Sequence, residues 1–153
     1  MEMERVERDL IIRTLKLIDQ YDTYVLPHVP EGDQVEVTLL INCLLSLLVV
    51  PKERWYEQVE PTPLGNLAAW GLSETLIESW GRCPRCDGEP PHHLREFLRR
   101  MRNSVCHVRI EVLATNRRIS NVRFTDRDGF AALLSVDSLK LFVRSLAESL
   151  VAA

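Results

Sequence analysis

A chain of 153 residues, 46% hydrophobic and 27% charged with net charge −3, has the make-up of a globular protein and not of a disordered or fibrous one. At that length about 70% of the unfolded surface can be buried, so one domain over residues 1–153 needs no disulfide or metal staple. The charged start Met1-Glu2-Met3-Glu4-Arg5 lacks a secretory pattern, so the four cysteines read as thiols or metal ligands and the expected compartment is cytoplasmic.

From Glu4 to about Tyr21, Val6, Leu10, Ile11, Leu15 and Ile18 recur at helical spacing between charges, which predicts an amphipathic helix. Pro27, Pro30 and Glu31-Gly32-Asp33 mark a connection, with Asp33 the expected N-cap of the next helix. That second helix, Gln34 to Val50, is apolar nearly all round and reads as the central core element, ended by Pro51. Its stretch Leu39–Val50 is well short of the roughly 20 residues that a membrane span requires, so no membrane partner is expected. Lys52 to Pro63 is read as a short helix or irregular turn. Leu64 to Trp80 is read as one or two short helices with Ser73 as a cap, and Gly81 to Pro91 as a loop.

His92 to Val105 predicts a strong helix, with Leu94, Phe97, Leu98 and Met101 buried and arginines on the other side. After His107 the period changes. Val108, Ile110 and Val112 alternate with Arg109, Glu111 and Leu113, and Ile119, Val122 and Phe124 continue in strand-favouring chemistry. With turns at Thr115-Asn116 and Asp126–Gly129, these residues predict a small antiparallel meander. Ser135 to Val151 closes the chain as a helix with Leu139, Phe142, Val143, Leu146 and Leu150 inward. The expected architecture is mainly α, a helical bundle with a small antiparallel β meander before the C-terminal helix.

A net charge of −3 argues against a general nucleic-acid binder, yet the charge is unevenly placed. Residues 1–94 carry eight basic side chains against sixteen acidic, whereas residues 95–127 carry nine arginines, no lysine and only three acidic residues. Composition alone leaves two readings, a solvated arginine-rich face or a patch whose planar forks grip phosphate oxygens in pairs. Within this segment stands Arg102-Asn103-Ser104-Val105-Cys106-His107 at the expected end of a helix. The bland reading of His107 is a ring that caps the last helix carbonyls.

The hexad resembles the HEPN superfamily, whose nucleases carry Arg, four residues and then His at the end of a bundle helix, often with Asn after the Arg. The helix ending Asn42–Glu53 and the strand-rich tail from Ile110 through Asp126 are similar to one prokaryotic branch, so the likeness covers most of the chain from about residue 34. It implies an HEPN-like bundle and a metal-independent endoribonuclease, with Arg102, Asn103 and His107 as catalytic residues and a homodimer in which two helix ends form a composite site. In an ideal helix Arg102 and His107 stand roughly 140° apart. Convergence on one phosphate therefore needs the helix to loosen near His107, or a second copy of the chain.

The chemistry expected of these residue types is attack by a 2′-hydroxyl on the adjacent phosphorus of single-stranded RNA, leaving a 2′,3′-cyclic phosphate. Histidine suits the proton transfers, and Arg102 the phosphate charge. Arg99, Arg109, Arg117 and Arg118 are the candidate RNA-binding residues. The settings the resemblance implies are phage defence, stress response or a toxin–antitoxin system with an antitoxin as partner. Many HEPN toxins have Tyr two residues after the His; here Arg109 occupies that place, which puts regulation through that tyrosine in doubt. The alternatives are a non-catalytic HEPN-like domain binding RNA, nucleotide or a protein partner, and a zinc-stabilised interaction module.

The last alternative rests on Cys83-Pro84-Arg85-Cys86 followed by His92 and His93. Cys83, Cys86 and His92 are candidate ligands for a structural zinc, set beside unliganded thiols or a redox pair. No cofactor is required by the proposed chemistry. Cys43 and Cys106 are expected to be core thiols, and Trp55, Trp70 and Trp80 core or interface residues more readily than base-stacking ones. Lys52 and Glu53 recur in the resembled branch without an assignable chemistry.

Overall fold

Apolar residues every three to four positions build the first helix, α1 (Glu2–Gln20), in the computed structural model, which describes residues 2–49, 59–82 and 92–152. Ile11 and Ile18 are its buried anchors. The helix then widens into one π turn, Tyr21–Val25, where the Leu26 N–H reaches the Tyr21 carbonyl five residues back at 3.1 Å. The connection is held by Gln34, whose amide donates to the Val29 carbonyl at 3.1 Å.

The second helix, α2 (Glu36–Leu44), continues as a π segment, Leu45–Val49. Val37, Leu40, Cys43, Leu44, Leu47 and Leu48 along it are buried, as its apolar composition demands. Asp33 lies two residues before the N-cap position. Glu31–Asp33 instead close a 3-10 turn, and Val35 takes the N-cap position without a side-chain bond of its own. The Val35 N–H donates to the Tyr21 hydroxyl at 3.0 Å, so a long-range partner replaces the local cap.

The segment from Leu64 to Trp80 is not one or two helices but three 3-10 turns (Leu64–Asn66, Ala68–Trp70, Glu74–Leu76) and a short strand, β1 (Ile77–Ser79). Ser73 precedes the third turn but makes no cap; its hydroxyl meets that of Thr75 at 2.7 Å. Gly71 ends the second turn at φ 72°, and a Cβ there would press on the Ser138 carbonyl. Nothing local announces β1, because a three-residue strand exists only where a partner is already in place.

That partner is the meander. Strands β2 (Ile110–Thr115), β3 (Arg118–Thr125) and β4 (Ala131–Ser135) pair antiparallel, and β1 adds to β4, for a sheet order β1-β4-β3-β2. Asn116 and Arg117 sit at φ 52° and 64°, both left-handed, as the tight two-residue link between Thr115 and Arg118 requires. Alternation places Val122, Phe124, Ala132 and Leu134 on the buried face. β2 is an edge strand whose residues are exposed or half-buried on both sides.

Helix α3 (Leu94–Cys106) and helix α4 (Val136–Ala152) complete the fold. Ser135 caps α4, its hydroxyl accepting from the Ser138 N–H at 3.1 Å. Phe97 of α3 lies edge-on to Phe130 and to Phe142 of α4, so helices and sheet share one continuous apolar core. The architecture is mainly α with a small antiparallel four-stranded sheet before the C-terminal helix, and among the described residues no helix is long and apolar enough to cross a membrane.

Candidate functional site

Helix α3 begins on a histidine, because His93 turns its ring back onto the helix start. Its Nδ1 accepts from the Glu96 N–H at 3.2 Å, while the Glu96 carboxylate accepts from the His92 N–H at 2.9 Å. This is a variant of the cap that serine and glutamate usually make, with the carboxylate reaching the residue before the N-cap. Arg100, expected on the open side with the other arginines, is instead buried at 3% exposure, with Glu96 at 2% beside it. The Arg100 guanidinium bonds Asp126 at 2.9 Å, lies 3.7 Å from Glu96, caps the Arg82 carbonyl and rests over the Phe130 ring. Asp126 in turn accepts from the Asp128 and Phe130 N–H groups at 2.8 and 3.0 Å. Arg100 therefore locks α3 to the β3–β4 turn and is unavailable to a ligand.

The opposite side of α3 carries Arg95, Arg99, Arg102, Asn103 and Cys106, spaced as one stripe by the three- and four-residue repeat. The first four are half-buried, Cys106 is exposed, and the exposed His107 follows at the helix end. Arg102 lies at one edge of this stripe, and helical spacing puts His107 just beyond the other. Cys106 lies inside it and is not a core thiol, whereas Cys43 is buried and its thiol pKa is pushed up to about 11 by desolvation. Iodoacetamide at pH 8 is thus expected to label Cys106 long before Cys43, as peptide mass mapping would record. Equal labelling would contradict this placement.

Helix α3 ends beside His107. Its last regular residue is Cys106; His107 (φ −100°, ψ 10°) is the cap, and its N–H still bonds the Asn103 carbonyl at 3.1 Å. Val108 follows at φ 53°, its N–H reaching the Val105 carbonyl at 3.3 Å, and the Arg109 N–H reaches the Ser104 carbonyl at 2.8 Å. These two bonds form a Schellman turn, whose left-handed position is normally glycine. A β-branched residue there costs about 1–2 kcal/mol, and Val108, at 80% exposure, gains little packing in return. Val108 therefore belongs to a turn and not to the strand its alternation suggested; β2 starts at Ile110.

The arginine cluster divides in the tertiary structure. Arg123 bridges Glu78 and Glu111 at 2.7 and 3.0 Å, and those hydrogen bonds raise its pKa. Arg95 donates to the Val59 carbonyl, and Arg118 pairs with Glu31 at 2.5 Å, both partners exposed. Among the described residues Arg99, Arg109, Arg117 and Arg127 have no acidic partner. Of the four candidate binders, Arg99, Arg109 and Arg117 are thus open to a phosphate, and Arg118 shares its charge with Glu31.

Of the three candidate zinc ligands, Cys83 and Cys86 lie outside the described residues, as do Lys52, Glu53 and Trp55. His92 is described: it stands at φ 70° with its ring 4.7 Å from Trp80. Trp80 packs on the core and against Phe130 at 5.9 Å, and Trp70 also joins the core margin. Among the described residues no group of three His, Cys, Asp or Glu side chains has metal-ligand geometry.

Comparison with curated proteins and with solved structures finds no match. The family described as HEPN pEK499 p136 matches residues 1–153, the whole sequence. With a helical bundle, an appended sheet and an Arg-x4-His sequence at a helix tip, the chain belongs to the HEPN pEK499 p136 family.

Proposed function

We propose that this protein is a metal-independent endoribonuclease, acting on single-stranded RNA through Arg102, Asn103 and His107. The observation that carries the reading is the termination of α3 at Cys106, which leaves His107 exposed at the helix tip, five residues after the half-buried Arg102. An imidazole can take the 2′-hydroxyl proton or return one to the 5′-oxygen. The Arg102 guanidinium would hold the phosphate as charge builds in the transition state, and Asn103 would orient the phosphate or the ring. Two copies related by a two-fold axis would pool two such tips in one cleft. The 2′-hydroxyl is the nucleophile, so DNA is not a substrate. Toxin–antitoxin, stress or defence roles, with an antitoxin as protein partner, fit an RNA-cutting activity of this kind, and a structural zinc at Cys83, Cys86 and His92 would be compatible with it.

The test is cleavage of single-stranded RNA in EDTA by wild type and His107→Ala. Loss of cyclic-phosphate product in the variant alone supports the reading. A second reading, RNA binding without cleavage, is favoured by the open guanidinium groups of Arg99, Arg109 and Arg117. Both predict salt-sensitive binding. Replacing Arg109 or Arg117 with Gln should reduce the log–log salt slope by about 0.7 per cation on single strands. Arg123→Gln should leave the slope unchanged, since Glu78 and Glu111 already occupy that guanidinium. Fluorescence anisotropy across a salt series reads both.

A further inference from the structure

Within the hexad lies one hydroxyl with no part in the cleavage chemistry above. Ser104 is fully buried, and its Oγ–H donates to the Thr125 carbonyl at 2.6 Å, with the Arg100 carbonyl a weaker second acceptor at 3.2 Å. Two backbone bonds close the circuit: the Thr125 N–H donates to the Arg109 carbonyl at 3.1 Å, and the Arg109 N–H to the Ser104 carbonyl at 2.8 Å. The last turn of α3, the end of β3 and the residue before β2 are thereby tied in one ring. Between Ser104 and Arg109 it encloses His107 and the strained Val108. Val108 is 80% exposed, so its own packing cannot hold a left-handed backbone that its branched Cβ disfavours. The turn has to be held from its ends, and Ser104 supplies the only side-chain bond in the ring.

We propose that Ser104 is the positioning residue for His107: its hydroxyl clamps the tip of α3 to β3 and so keeps the strained turn, and the imidazole on it, in one orientation. The consequence for activity rests on the RNA-cleavage reading; the clamp itself does not. Glycine adopts the left-handed region without cost. Val108→Gly should therefore make the turn independent of the clamp, and it serves as the suppressor that separates positioning from other roles.

The experiment compares wild type, Ser104→Ala, Val108→Gly and the double variant. Amide hydrogen exchange and the ring signals of His107 are read first. Ser104→Ala should speed exchange at Thr125 and Arg109 and broaden or multiply the His107 signals, and the double variant should recover a single set. Unchanged exchange and a single His107 environment in Ser104→Ala would overturn the clamp, whether or not the protein cleaves RNA. Kinetics are read second. Ser104→Ala should lower kcat by roughly 10- to 100-fold with KM within about twofold, as misplacement of a catalytic group does, and the double variant should regain most of it. A fall in kcat that Val108→Gly does not repair would also overturn the proposal, because Ser104 would then act other than through the turn. Wild type without cleavage removes the nuclease reading and leaves the exchange result to decide the clamp. Should Ser104→Ala not fold, Ser104→Cys, which is slightly larger and a weaker donor, gives the same comparison.

Discussion

His107→Ala is expected to abolish RNA cleavage, by roughly 10²- to 10⁴-fold, while the thermal midpoint stays within about a degree of wild type. The two halves of this expectation come from one feature. His107 is exposed at the C-cap, and the turn around it is held by backbone groups of Asn103, Ser104 and Val105 that alanine retains. On the proposed reading its ring serves the chemistry while the fold does not depend on it. EDTA should change neither activity, because imidazole and guanidinium carry the proposed proton transfers and charge stabilisation. Mixing inactive Arg102→Ala and His107→Ala chains adds a test of the composite cleft. If one copy supplies the arginine and the other the histidine, mixed dimers should regain part of the cleavage. No recovery in verified mixed dimers would place each site within a single copy.

Arg100→Ala carries the largest expected loss of stability, about 3–5 kcal/mol. Asp126 and Glu96 are buried beside Arg100 at 7% and 2% exposure, so removing the cation strands two carboxylates away from water. For a chain of this size that is a fall of on the order of 10 °C in the thermal midpoint. Arg100→Met separates charge from packing: it refills most of the volume but leaves both carboxylates uncompensated, and it should be nearly as unstable as Arg100→Ala. A methionine variant close to wild type would show that cavity formation, and not charge, dominates at this site. The arginine also caps the Arg82 carbonyl, and the neighbouring Arg82 N–H donates to the Asp128 carbonyl at 2.7 Å. Either variant should therefore loosen the β3–β4 turn before the remainder of the sheet, which hydrogen exchange would detect.

Both expectations involve arginines of one short segment, and in sequence these residues look alike. Arg99, Arg100 and Arg102 are near neighbours on a helix, yet one is sealed in the core and two line a partly open side. The division follows from where α3 meets the β3–β4 turn, a contact between residues 26 apart in the chain. Local periodicity marked Leu94, Phe97, Leu98 and Met101 as buried but could not assign Arg100 to the same face, because the burial of a cation depends on an acid delivered from elsewhere. Cys106 was misplaced for a related reason. Its neighbour Val105 faces the core, and only the actual rotation of the helix decides which of the two is covered.

The sequence by itself determined the helices, the meander, the inward faces of α3 and α4, and the Arg102–His107 string at a helix end. Those features repeat at 3.6 or 2 residues, or depend on turn residues next to one another, so neighbouring positions are sufficient to specify them. Tertiary structure alone decided the rest: β1, which exists only as a partner for β4; the cap of α2 by Tyr21 in place of Asp33; the burial of Arg100 and Glu96; and the Ser104–Thr125 bond that encloses the His107 turn. Each of these joins groups far apart along the chain. Whether each contact offsets the desolvation of its two partners depends on the tertiary arrangement, and no local pattern records it.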